Sequence, residues 1–166
     1  MLRFAQQIIG NDWTDVFERY VYKHHLPFIK SFFLMSDETK TIVCIEDEPD
    51  MIDLVRLILG RHNFEVHGAL GGHEGLELVR ELKPDLVLLD LMMPEMDGWQ
   101  VFQTIRVEEG ISEIPVIILT AKAQSIDKVL GLHIAKVNDY VTKPFGPQEL
   151  LSAVKKVLAE SEKALG

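Results

Sequence analysis

The sequence from Lys40 onward predicts an α/β domain, a doubly wound parallel sheet of five strands alternating with five helices. Three observations predict it. Short β-rich apolar runs recur at Thr41–Ile45, Leu86–Leu89 and Val116–Leu119, the pattern of strands buried on both faces. Amphipathic stretches at helical spacing separate these runs. Proline, glycine and acidic residues then mark each change of element. Such alternation requires right-handed crossovers that cover a parallel sheet on both sides. The flavodoxin-like strand order 2-1-3-4-5 is expected, and it gathers the ends of the first, third and fourth strands around one crevice.

In chain order, Thr41–Ile45 is the first strand, ended by Glu46-Asp47-Glu48-Pro49-Asp50. The helix after it places Met51, Leu54, Val55, Ile58 and Leu59 on one face and closes at Gly60. Glu65–Leu70 and Gly72–Leu82 form the second strand and helix, with Leu76, Leu78, Val79 and Leu82 apolar. After Pro84 the third strand runs to Asp90, and Asp97 is the expected cap of a helix reaching about Arg106. Pro115 opens the fourth strand, which ends at Thr120, and Ser125–Ile134 is its helix. Asp139–Thr142 is the last strand, followed by a helix from Pro147 to about Glu160.

A chain of 166 residues fits one domain with a short appendage. Residues 37–162 form the expected domain and 163–166 a tail, while 1–36 form an extension, helical or poorly ordered. In the extension Trp13, Phe17, Tyr20, Val21 and His24 share one helical face. No function is assigned to it. A formal charge of −9 with no basic stripe argues against direct nucleic-acid binding. The single cysteine, Cys44, lies in a strand run and is expected in the core, and no disulfide can form within the chain. The six histidines lack ligand spacing and are expected at the surface or in loops. No membrane-spanning run or secretory signal is present, so the expected location is cytoplasmic.

Asp90 stands where apolar character stops, at a strand's carboxyl end. A carboxylate there is either a structural cap or a reactive group, and Asp97 already fills the capping role. Every strand expected at the crevice ends in a polar residue: Glu46 and Asp47, Asp90, Thr120, and Lys143-Pro144 after the fifth. Three carboxylates at close range repel unless one takes up a proton or a cation joins them. Hard oxygen ligands in a partly open site favour magnesium. With the Lys143 ammonium and the Thr120 hydroxyl, the metal would complete a cage for a phosphoryl group, with Asp90 as the nucleophile that forms an acyl phosphate.

From Lys40 to about Leu158 the chain resembles the receiver domain of two-component response regulators. The motifs that carry the resemblance are Glu46-Asp47-Glu48-Pro49, the run Asp90-Leu-Met-Met-Pro-Glu-Met-Asp-Gly98, Thr120-Ala121, and Asp139-Tyr140 ahead of Lys143-Pro144-Phe145. The resemblance implies that Asp90 is phosphorylated from a histidine kinase or phosphotransfer protein and that Glu46 and Asp47 hold magnesium. It implies that Met92 gives the metal a backbone carbonyl and that Thr120 and Lys143 bind phosphate. Tyr140 is then the aromatic that follows phosphorylation, and the Lys143-Pro144 bond is expected to be cis. The output face would lie between the Ser125–Ile134 helix and the last helix and would control protein binding.

The chain also departs from the family pattern. Glu46 is one methylene longer than the aspartate often found there, so it reaches the metal directly or through water. Ala135–Asn138 lacks the usual glycine, and Leu130, His133 and Asn138 replace charges common in relatives that dimerise through that face. Apolar Met92 positions no water, so slow self-hydrolysis is expected. Fewer than ten residues follow the last helix, so a single-domain switch, not an enzyme in the ordinary sense, is the expected function. A magnesium-dependent phosphotransferase would need a proton donor where Met92 stands. A flavin-binding module fails because Glu46, Asp47 and Glu48 would repel its phosphate.

Overall fold

The computed structural model describes residues 39–121 and 137–165. The extension and the Ser125–Ile134 helix, with Lys122, Leu130 and His133, lie outside the described residues. The described elements are β1 (Lys40–Glu46), α1 (Pro49–Gly60), β2 (Phe64–Leu70), α2 (Gly72–Leu82), β3 (Leu86–Asp90), α3 (Gly98–Val107), β4 (Val116–Thr120), β5 (Asp139–Thr142) and α4 (Pro147–Leu165). All four strand pairings are parallel, and the order is β2-β1-β3-β4-β5. No helix among the described residues is long and apolar enough to cross a membrane.

Residues of β3 and β4 are buried throughout, because helices cover the sheet on both faces and alternate side chains enter different cores. Ile42, Cys44, Leu86, Leu88, Ile117 and Leu119 pack with Val55 and Leu59 of α1 and Leu150 and Val154 of α4. Their neighbours Val43, Ile45, Val87, Leu89 and Ile118 pack on the other side with Leu76 and Val79 of α2 and Val101, Phe102 and Ile105 of α3. Cys44 is a core residue, as expected, and burial pushes its thiol up to about 12.

Helix α1 differs from expectation in its phase. It buries Ile52, Val55, Ile58 and Leu59, whereas Leu54 is 40% exposed. The cause lies in β2. A side chain at Gly68 would overlap Ile52, so glycine there opens the space that draws Ile52 inward and turns Leu54 out. Helix α4 continues past the Glu160 boundary to Leu165, and Glu162 on its added length pairs with Lys40 at 3.2 Å. The strands start one residue earlier than expected at β1 and β2, at Lys40 and Phe64.

Candidate metal and phosphate site

Three strand ends and one loop deliver the site. β1 ends at Glu46, β3 at Asp90 and β4 at Thr120, all three buried, and Lys143 follows β5 directly. Register keeps them level: Asp90 pairs with Leu119, Thr120 pairs with Thr142, and the Lys143 N–H donates to the Thr120 carbonyl at 2.7 Å. Glu46, Asp47 and Asp90 each offer a carboxylate oxygen, and these oxygens lie within 4.8 Å of one another. The Lys143 Nζ donates to Glu46 Oε2 at 2.5 Å and to Asp90 Oδ2 at 2.9 Å.

The local turn after β3 is built around Asp90. Its Oδ1 accepts from the Met92 N–H at 3.0 Å, and the Gly98 N–H donates to the Leu91 carbonyl at 3.2 Å. Asp97 caps α3 by accepting from the Gln100 N–H at 3.0 Å, which is the role the sequence suggests for it. Gly98 has to be glycine for a reason the sequence does not display. A side chain there would overlap the Asp90 carbonyl and the Leu91 backbone.

One ammonium bonds two of the three carboxylates, Glu46 and Asp90. Burial drives the Glu46 carboxyl up to about 7, Asp90 adds to the rise, and the Lys143 ammonium only partly offsets it. Burial works to lower Lys143, but its hydrogen bonds to Glu46 and Asp90 outweigh burial and hold it above its ordinary value. Glu46 Oε1 is buried and has no hydrogen-bond partner among the described residues. A buried, unpartnered carboxylate oxygen is costly, and an all-oxygen cluster with that deficit fits a hard divalent cation such as magnesium.

The remaining expected residues are arranged around this cluster. Met92 is 65% exposed, with its backbone against Asp90. Tyr140 sits on β5 opposite Ile118, 46% exposed, on the strand that leads to Lys143. The Lys143-Pro144 peptide bond is cis. The pairing of Lys143 with Glu46 carries no signal in the sequence, where Lys143 is expected at the phosphate alone. The described histidines offer no ligand set: His62 and His73 are exposed, and His67 pairs with Glu65 at 3.2 Å on β2.

Comparisons with known proteins agree with this fold. Residues 42–155 match the family described as the response regulator receiver domain. The chain is similar to the DNA-binding response regulator MtrA of Mycolicibacterium smegmatis, 38% identical over 77% of this chain and 54% of that protein. It is similar to the DNA-binding dual master transcriptional regulator RpaA of Synechocystis, 39% identical over 74% of this chain and 50% of that protein. The chain therefore spans about half the length of these curated relatives. Among solved structures it resembles a response regulator of Chloroflexus aurantiacus, with TM-score 0.67 and 32% identity over 72% of this chain and 98% of that one. A CheY-like receiver domain protein of Methanospirillum hungatei gives TM-score 0.68 and 28% identity, over 75% of this chain and 98% of that one.

Proposed function

The chain belongs to the response regulator receiver domain family, and on that premise we propose that it is a phosphorylatable switch with Asp90 as the acceptor. The observation that carries the proposal is the cluster of Glu46, Asp47 and Asp90, with Lys143 bonded to Glu46 and Asp90 and one buried Glu46 oxygen lacking a partner among the described residues. The donor is the phosphohistidine of a histidine kinase or phosphotransfer protein. An Asp90 oxygen attacks phosphorus, the phosphorus–nitrogen bond breaks, and the imidazole leaves with the electron pair and takes up a proton.

Glu46, Asp47, Asp90 and the Met92 carbonyl would hold magnesium, which when bound neutralises charge on the transferring phosphoryl group. The Lys143 ammonium, placed between Glu46 and Asp90, turns to a phosphoryl oxygen, and the Thr120 hydroxyl takes another. Their movement is the event that Tyr140 follows, and the face leading to α4 changes shape. Output is protein binding by the receiver domain, in the cytoplasm, to a downstream protein in a phosphorelay. With a net charge of −9, direct nucleic-acid contact and membrane insertion are not part of the proposal. Met92 carries no group that orients water, so the phosphoryl group is long-lived, and a half-life of seconds would contradict this.

The test is intact mass after incubation with acetyl phosphate and magnesium. A single phosphoryl adduct is expected on the wild type and none on Asp90→Asn. Lys143→Ala should still be labelled but switch weakly. An adduct that survives Asp90→Asn would overturn the assignment.

A further inference from the structure

The amino end of β5 is fixed by a clamp that the proposed chemistry does not use. Asn138, just before β5, donates its N–H to the Val116 carbonyl at 3.2 Å, and its Oδ1 accepts from the Val116 N–H at 2.9 Å. The same oxygen accepts from Arg106 Nη2 at 3.2 Å. Arg106 Nη1 donates to the carbonyls of Ser112 at 3.0 Å and Ile114 at 2.8 Å. Its guanidinium carbon stands 4.7 Å from the centroid of the Phe102 ring in α3. One half-buried side chain thus ties α3, the segment before β4 and the start of β5 to a single point.

β5 needs such a tie. Among the described residues it is an edge strand of four residues paired only with β4. A slip of one residue in a parallel strand turns every side chain to the opposite face, and Lys143 is the next residue after the strand. At the carboxyl end the register is pinned by the Lys143 N–H on the Thr120 carbonyl at 2.7 Å. At the amino end Asn138 supplies, through its side chain, the acceptor that a further strand residue would have supplied through its carbonyl.

We infer that Asn138, oriented by Arg106, is a positioning residue that sets the register of β5 and so places the Lys143 ammonium against Glu46 and Asp90. The inference rests on the magnesium site proposed above. An ammonium against two of the three carboxylates opposes a second cation there, so the clamp holds magnesium affinity down in the resting chain. A loosened clamp lets the ammonium drift and tightens magnesium binding. A fold that is merely damaged would weaken it.

The test is calorimetric titration of the full chain with magnesium chloride. Lys143→Ala is expected to tighten binding about tenfold, since a unit positive charge leaves the site. Asn138→Ala should tighten it about threefold in the wild type and not at all in the Lys143→Ala background, because it acts only through that ammonium. Asn138→Asp keeps both accepting bonds and should bind as the wild type does. Arg106→Gln, which leaves the Asn138 clip to Val116 in place, should shift affinity in the same direction by less. Unchanged or weaker binding in both Asn138→Ala and Arg106→Gln, or equal effects of Asn138→Ala in both backgrounds, would overturn the clamp alone. Absence of saturable magnesium binding in the wild type would overturn the site reading and the clamp with it.

Discussion

At the amino edge of the sheet Asp85 accepts from the Thr41 N–H at 2.8 Å and takes the Lys40 ammonium at 3.3 Å, and Lys40 also reaches Glu162 at 3.2 Å. At the carboxyl edge three carboxylates cluster where one ammonium pairs with two of them, Glu46 and Asp90, and a buried Glu46 oxygen has no hydrogen-bond partner among the described residues. Both edges cap the same apolar strands. The first sets one ammonium against two carboxylates that solvent reaches and screens, so its groups stabilise the fold in the ordinary way. The second is buried and short of positive charge, which is a poor arrangement for stability and a good one for binding a cation and a dianionic phosphoryl group.

The contrast breaks most sharply if the carboxyl edge loses its geometry. Gly98→Ala forces a methyl group against the Asp90 carbonyl, and is expected to cost about 3 kcal/mol together with magnesium binding. Urea unfolding and a magnesium titration on the same sample check both. Next in size is the charge deficit itself. The folded chain keeps the Glu46 proton to about pH 7, against 4.5 for the ordinary carboxyl, so the metal-free fold loses stability as pH rises between those values. Glu46→Gln lacks that proton equilibrium. Its stability relative to wild type should therefore climb by about 2 kcal/mol from pH 5 to pH 8, read from urea midpoints. Lys143 titrates above this window and leaves the difference unchanged.

At the amino edge effects are smaller and leave the chemistry intact. Asp85→Ala removes the acceptor for Thr41 and is expected to cost about 1 kcal/mol, with magnesium affinity unaltered in the same titration. Smallest of all is the exposed pair of Arg80 and Glu108, joined at 2.7 Å on the surface between α2 and α3. Glu108→Ala should leave the unfolding midpoint where it is, because solvent and salt screen such pairs.

The sheet and the residues of the candidate site are legible because strand ends reveal themselves by residue type. An apolar run that stops at Asp90, at Glu46 or at Thr120 shows both the strand and the group it presents. What could not be read depends on contacts between distant segments. The phase of α1, which buries Ile52 in place of Leu54, follows from the space above Gly68 in β2. Gly98 reads as a turn residue, while its real constraint is the Asp90 backbone. Asn138 reads as a lost charge, and its bonds to Val116 and Arg106 appear only once three segments meet. The hold of Lys143 on Glu46, 97 residues away in sequence, belongs to the same class.

The most direct test of the charge deficit at the carboxyl edge is calorimetric titration of magnesium into wild type and Glu46→Gln at pH 8. The deficit predicts one saturable site in the wild type, weakened in Glu46→Gln and lost from wild type as the pH falls below the Glu46 value of about 7. Saturable binding that is indifferent to Glu46→Gln, or no saturable binding at all, would contradict it.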